Sequence, residues 1–447
     1  MNEWSPGSWR AKPALQQPSY PSSQELDAAL RELAGLPPLV SPWEVDTLRA
    51  QLADAAAGRR FLLQGGDCAE RFCDCGAETI TDKLKILLQM SLVLVHGSQR
   101  PEIRVGRFAG QYAKPRSADA ETRDGVTLPS YRGDIVNRFE FTEAARRPNP
   151  RLLVRAHQRS ALTLNFIRGM LKGGFADLHH PEYWDLSWAK DSPLAADYHR
   201  IVERIGDSLR FVENVLGIRA GELERVDFFT SHEGLLLAYE EALTRRVDPA
   251  GRWYNLSTHL PWIGVRTCQP GGAHVEYFRG IANPIGLKAG PGMAPELLRD
   301  LIVLLDPDNE PGRLTLIHRF GCAQIARCLP PLVAAVRDMG RAVLWCCDPM
   351  HGNTRTTAAG VKTRNFDDIL SELDQAFDIH AAAGGHLGGV HFELTGHNVT
   401  ECTGGARGLS EADLGRAYES EVDPRLNYEQ ALEMAMLIAR KMAAMGG

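Results

Sequence analysis

From residue 61 onward the chain repeats one unit. A short run of apolar and β-branched residues ends in polar ones, and a helical pattern follows. The runs are FLLQGGD (61–67), EIRVGRFAG (102–110), VDFFTSH (226–232), PWIGVR (261–266), PIGLKAG (284–290), RLTLIHR (313–319), RAVLWCCD (341–348) and GGVHFELTG (388–396). Helical patterns cover 81–97, 233–245, 295–305, 323–339 and 366–383, and YEQALEMAMLIARKMA (428–443) closes the chain. Eight strands alternating with helices predict an α/β fold, a (β/α)8 TIM barrel. The alternative is an open doubly wound sheet, but no Gly-rich dinucleotide fingerprint follows the first run, which favours the barrel.

A single domain over 1–447 is expected, with two additions. Residues 1–45 carry Pro and Ser clusters around one helical pattern, SQELDAALRELAG, and read as an N-terminal arm that wraps the body or a partner subunit. Between the second and third runs lie helical patterns at 151–171 and 195–216 joined by GGFADLHHPEYWDLSWAKDSP, so 172–216 reads as an inserted helical segment of functional or interfacial use.

The totals exclude some functions. Net charge is −6 and no long Lys/Arg block occurs, which argues against nucleic-acid and membrane-surface roles. The N-terminal residues have no apolar signal region, and the best apolar stretch, ILLQMSLVLV (86–95), is too short to span a bilayer. A cytoplasmic location is expected. Nine cysteines form no regular framework, and most are expected to be reduced and buried. WCCDPMHGNT (345–354) is the exception that asks for a reason: thiols, a carboxylate and an imidazole end an apolar run.

In a barrel, chemistry gathers at the C-terminal ends of the strands. Those ends carry Cys68; Arg107, then Lys114 and Arg116; Ser231, His232 and Glu233; Arg266; Lys288; Arg319; Asp348 and His351; and Glu393, with Asp423 in the loop beyond. Two classes stand out. Arg107, Lys114, Arg116, Arg266, Lys288 and Arg319 put concentrated positive charge on one face of a mildly acidic protein, which suits phosphate and carboxylate ligands. Any one of them alone would read as a salt-bridged surface group. Cys68, His351, Glu393 and Asp423 form a mixed donor set for a divalent ion, and a thiolate among oxygens suits Mn, Fe, Co or Zn better than Mg or Ca. The Cys68, Cys73, Cys75 spacing is poor for a structural zinc site.

These residues sit in motifs that resemble the type II 3-deoxy-D-arabino-heptulosonate 7-phosphate (DAHP) synthases over nearly the whole chain. The motifs are LLQGGDCAE (62–70), RFAGQYAKPRSAD (107–119), YRGDIVN (131–137), TSHEGLLLAYE (230–240), WIGVRT (262–267), NPIGLKAGP (283–291), DPMHGNT (348–354), KTRNFD (362–367), GGVHFELTGHNVTECTGGA (388–406) and DPRLN (423–427). The resemblance implies condensation of phosphoenolpyruvate with erythrose 4-phosphate, the first step of the shikimate pathway. It implies metal ligands at Cys68, His351, Glu393 and Asp423. Substrate contacts fall at Arg107, Lys114, Arg116, Ser117, Arg266, Lys288 and Arg319. Mn2+ is the first expectation for the ion, with Co2+, Fe2+ or Zn2+ as alternatives. Lys114 is the candidate catalytic proton donor, with a metal-bound water as the alternative. A homo-oligomer, dimer or tetramer, is implied, as are aromatic feedback inhibitors and a chorismate mutase partner. Cys346 and Cys347 read as strand and core residues.

The chain departs from the family pattern at Val265 (for Glu), Gln324 (for Lys), Phe320 (for Met), Arg138 (for Gly), Val422 (for Cys) and HHPEYWDLSW in the insertion. No departure removes a metal ligand. Together they suggest a specialised paralogue. Two alternatives therefore stand beside DAHP synthesis: a related synthase taking a modified aldose phosphate, such as an imino analogue, and a non-catalytic regulatory homologue.

Overall fold

The computed structural model describes residues 4–175, 195–216, 227–249 and 251–445. Eight parallel strands close into a barrel. They are β1 Phe61–Gly66, β2 Glu102–Arg107, β3 Phe228–Glu233, β4 Leu260–Ile263, β5 Ile285–Ala289, β6 Leu314–His318, β7 Leu344–Cys347 and β8 Gly389–Glu393. Each strand pairs in parallel with its neighbour, and β8 closes on β1 with Leu62 opposite Gly389 and Gly66 opposite Glu393. Every predicted run overlaps one strand, so the barrel reading agrees with the structure.

Alternation along each strand builds the interior. Leu62, Ile103, Phe229, Leu260 and Leu344 fill its lower part, with Val105, Trp262, Ile317 and Cys346 in the same apolar cluster. One step further towards the C-terminal ends the inward residues turn polar and charged: Arg107, Glu233, Lys288 and Glu393. The registers place these at one rim, with Gly66 level with both Arg107 and Glu393.

The sequence reading missed the helix Pro42–Ala56. Its signal was present: Ser41 and Glu44 form a reciprocal capping box and Pro42 opens the first turn. Leu48, Leu52 and Ala55 of this helix pack on the lower barrel residues and stop the N-terminal end. The preceding helix, Ser23–Gly35, packs through Leu33 into a second cluster with Leu152, Leu153 and Leu236. The helix Arg151–Lys172 follows β2, and Ala195–Leu216 packs against the helix Ala77–Ser98. The rewritten stretch 179–188 lies outside the described residues. Among the described residues no helix is long and apolar enough to cross a membrane.

Candidate active site at the barrel mouth

The rim opens into a cavity of about 600 Å³. Cys68, Arg107, Lys114, Arg116, Ser117, Arg266, Lys288, Arg319, His351 and Asp423 all line it. Of the predicted site residues only Glu393 sits behind the lining, between Arg107 and His351.

The loop after β2 brings Lys114 in. Glu70 accepts hydrogen bonds from the backbone N–H groups of Ala109, Gly110 and Gln111, each at 3.0 Å, and fixes the start of that loop. Gly133, at φ +98°, lets YRGDIVN lie against it, since a Cβ there would collide with the Tyr112 carbonyl. The Lys114 N–H then bonds the Arg132 carbonyl at 2.9 Å. The Lys114 Nζ lies 2.6 Å from Cys68 Sγ and 2.7 Å from Asp423 Oδ2. Burial would lower this amine's pKa, but Asp423, Cys68 and Glu393 outweigh burial and hold it above the ordinary lysine value.

Cys68, Glu393 and Asp423 each place a donor atom within 4.8 Å of the others, and Cys68 and Glu393 are buried. His351 joins them, with Nε2 3.0 Å from Glu393 Oε1. Its Nδ1 meets Asp348 Oδ2 at 2.7 Å, which aims Nε2 at the donor set. Sulfur, imidazole and two carboxylates converging around a lysine ammonium are chemically suited to a divalent cation. Burial, then the Glu393 charge, pushes the Cys68 thiol up to about 12 in the metal-free protein. A bound ion reverses that preference and favours thiolate.

The rest of the rim is cationic and tightly held. Arg107 donates to Glu393 Oε1 at 3.0 Å and contacts His391 Nε2 at 2.5 Å. Lys288 pairs with Asp348 and meets the same His391 nitrogen at 3.0 Å. Burial first, then these two cations, depress the His391 pKa well below the usual value, so its Nε2 is a fixed acceptor while Nδ1 faces Gln64 Oε1 at 2.8 Å. Arg266 donates to Ser117 Oγ at 3.0 Å, joining two loops at the cavity edge. Arg319 donates to the His351 carbonyl at 2.7 Å, while its buried Nε has no partner. Glu233 also keeps a buried, unpartnered Oε1, and burial raises its carboxyl.

Two further cations escaped the sequence reading. Arg364 Nη2 donates to Glu393 Oε2 at 2.7 Å, and Lys362 Nζ lies 3.0 Å from Asp423 Oδ1. Both come from one strand of the hairpin Thr354–Thr356 and Lys362–Arg364. Residues two apart on a strand share a face. KTRNFD is visible as a motif, but it lies off the barrel strands, where the strand-end rule does not reach. Asp67 is a second such case: Arg425 donates to its Oδ1 at 2.8 Å and buried Lys83 pairs with Oδ2 at 2.5 Å, bracing the turn before Cys68.

The departures separate here. Val265 and Val422 line the cavity, and Val422 packs beside Cys68 and Tyr131. Gln324 lies outside it and accepts a bond from Arg327 at 3.3 Å. Arg138 is not among the positive-φ residues; its guanidinium lies over Phe72 and 3.4 Å from Asp134, so no glycine conformation is needed there.

Residues 4–439 match the family model described as the class-II DAHP synthetase family. The chain belongs to the class-II DAHP synthetase family. It is 50% identical over 452 residues to the phospho-2-dehydro-3-deoxyheptonate aldolase of Neurospora crassa, covering 98% of this chain and 94% of that protein. It is 49% identical over 431 residues to the protein of the same name from Streptomyces coelicolor, covering 96% of each. A solved structure of the Francisella tularensis phospho-2-dehydro-3-deoxyheptonate aldolase aligns over 94% of this chain and 96% of that one, with a TM-score of 0.47 and 13% identity. The family is generally metal-dependent, in keeping with the donor set at the rim.

Proposed function

We propose that this mouth condenses phosphoenolpyruvate with erythrose 4-phosphate to give DAHP and inorganic phosphate. The observation that supports this most is the convergence of Cys68, His351, Glu393 and Asp423 on the Lys114 amine, on a wall shared with a row of arginines. Phosphoenolpyruvate brings a phosphate and a carboxylate, and the aldose brings a second phosphate. Arg116, Ser117, Arg266, Lys288 and Arg319 are the groups to hold these anions. Arg319 lines the cavity with one donor, its buried Nε, still unpartnered.

Cys68, His351, Glu393 and Asp423 would hold the divalent ion, Mn2+ in the first instance, which supplies Lewis-acid polarisation of the aldehyde. C3 of phosphoenolpyruvate attacks the aldehyde carbon, water adds at C2, and phosphate leaves with C–O cleavage. Lys114 is charged and carries its proton at Nζ beside the donor set, where it can deliver it to the new hydroxyl. Arg107 holds Glu393, and Asp348 holds His351 and Lys288, so the rim is organised before substrate arrives.

Exposed Trp43 and Leu162 offer apolar surface for a dimer or tetramer contact. A chorismate mutase partner rests on the resemblance alone.

A second reading, a synthase for a modified aldose phosphate, draws on Val265, which puts an apolar side chain beside Arg266 in the cavity wall. A panel of aldehydes offered with phosphoenolpyruvate separates the two. Highest kcat/KM for erythrose 4-phosphate supports the first, and preference for an imino analogue supports the second.

A further inference from the structure

The two thiols of WCCDPMHGNT point to opposite sides of β7. Cys346 faces into the barrel with Leu62 and Val105, whereas Cys347 faces out into the apolar layer beneath the helices. That layer is not wholly apolar. Cys347 Sγ, a ring nitrogen of His318 on β6, and a carboxylate oxygen of Glu372 lie within 4.8 Å of one another, and all three residues are fully buried. Glu372 sits on the helix Phe366–Ala382 that covers these strands.

His318 is the informative member. Neither Nδ1 nor Nε2 has a hydrogen-bond partner, although the residue has no exposed surface. Native folds rarely leave a buried polar ring in that state. His380, about two helical turns on from Glu372 on the same helix, also buries an unpartnered Nε2, and its ring centroid is 5.7 Å from that of His318. Glu372 accepts from the Phe320 N–H at 2.7 Å and from Asn353 Nδ2 at 2.8 Å, but among the described residues no lysine or arginine pairs with it. A thiol, a carboxyl and two imidazoles with unpartnered nitrogens share one dry space with no cation among them.

We propose that His318, Cys347 and Glu372 form a second divalent-metal site, with the neighbouring His380 ring turning in as the fourth donor. Nitrogen, sulfur and oxygen donors in one closed set suit Zn2+ and disfavour Mg2+ and Ca2+. With four protein donors and no solvent access the site is structural. It would tie β6, β7 and their covering helix together behind Arg319 and His351, whose loops Glu372 already holds through Phe320 and Asn353.

The test uses Co2+ as the probe, supplied in the growth medium so that it enters while the chain folds. Cobalt per chain is counted, and the thiolate-to-Co2+ charge-transfer band is read in the near ultraviolet. The proposed catalytic set also has a thiol, so the deciding protein is Cys68→Ala. Wild type should hold two cobalt ions per chain, and Cys68→Ala should keep the band. Cys68→Ala/Cys347→Ser should lose it, with circular dichroism checking the fold. If only the catalytic assignment were wrong, wild type and Cys68→Ala would show the same band, still lost with Cys347→Ser. Absence of the band in Cys68→Ala, which needs no double variant to interpret, overturns the second site, as does a band that survives Cys347→Ser in the Cys68→Ala background.

Discussion

The Lys114 amine lies 2.6 Å from the Cys68 sulfur, so the general-acid candidate and a metal-donor candidate touch. Lys114→Met keeps most of the stem and removes the charge. It should lower kcat by about 10²- to 10⁴-fold, the range for loss of a general acid. Phosphoenolpyruvate binding should change far less. Steady-state kinetics at saturating substrates, with bound metal measured alongside, checks this.

Arg319 lines the cavity and keeps a buried Nε without a partner. Arg319→Ala should raise KM for phosphoenolpyruvate more than it lowers kcat. A charge-assisted hydrogen bond contributes about 1.5–3 kcal/mol, which is roughly 10- to 150-fold in KM. Initial rates against phosphoenolpyruvate concentration decide it. An unchanged KM would place the anion elsewhere.

Arg364 and Glu393 form an ion pair in which neither side chain is exposed. Arg364→Met removes one partner and leaves a buried carboxylate with Arg107 and His351 only. The expected loss of stability is about 3–5 kcal/mol, the usual cost of breaking a buried pair. Urea unfolding of the metal-free protein measures it.

The fold was legible because its signal is local and repeated. Each strand is a run whose alternate residues face the barrel, and eight such runs leave few topologies. Cys68, His351 and Arg319 were findable because each follows the C-terminal end of a strand within a few residues. Arg364 and Lys362 were not, because a hairpin carries them to the rim and only the folded chain reveals that approach. The helix Pro42–Ala56 shows a different limit. Its capping box was readable, but its role as the barrel's stopper depends on an apolar cluster it shares with residues of six different strands. The His318–Cys347–Glu372 cluster was hidden for the same reason, since it joins two strands and a helix.

That stopper predicts a stability effect far from the chemistry. Leu48 and Leu52 are fully buried against the lower barrel. Leu52→Ala should cost about 2–5 kcal/mol, as large-to-small core changes do. The urea midpoint should fall while KM for both substrates stays close to wild type.

Acid sensitivity follows from His274, which is buried and donates its Nε2–H to the Leu235 carbonyl at 2.9 Å. Burial depresses its pKa from 6.5 to about 4. Between pH 6.5 and 4 the unfolded chain therefore binds a proton that the folded chain refuses. The stability is present above pH 6.5 and is lost as pH falls towards 4, by about 3 kcal/mol for this one group. His274→Gln should flatten that part of the stability–pH curve, measured by urea unfolding at a series of pH values.

The most direct test of the central claim is phosphoenolpyruvate consumption by chelator-stripped protein with erythrose 4-phosphate, with and without added Mn2+. The account predicts negligible consumption without the ion, and restored consumption with DAHP and phosphate formed in equal amounts when Mn2+ is added. Full turnover by the stripped protein, or Mn2+ binding with no consumption of phosphoenolpyruvate, would contradict it.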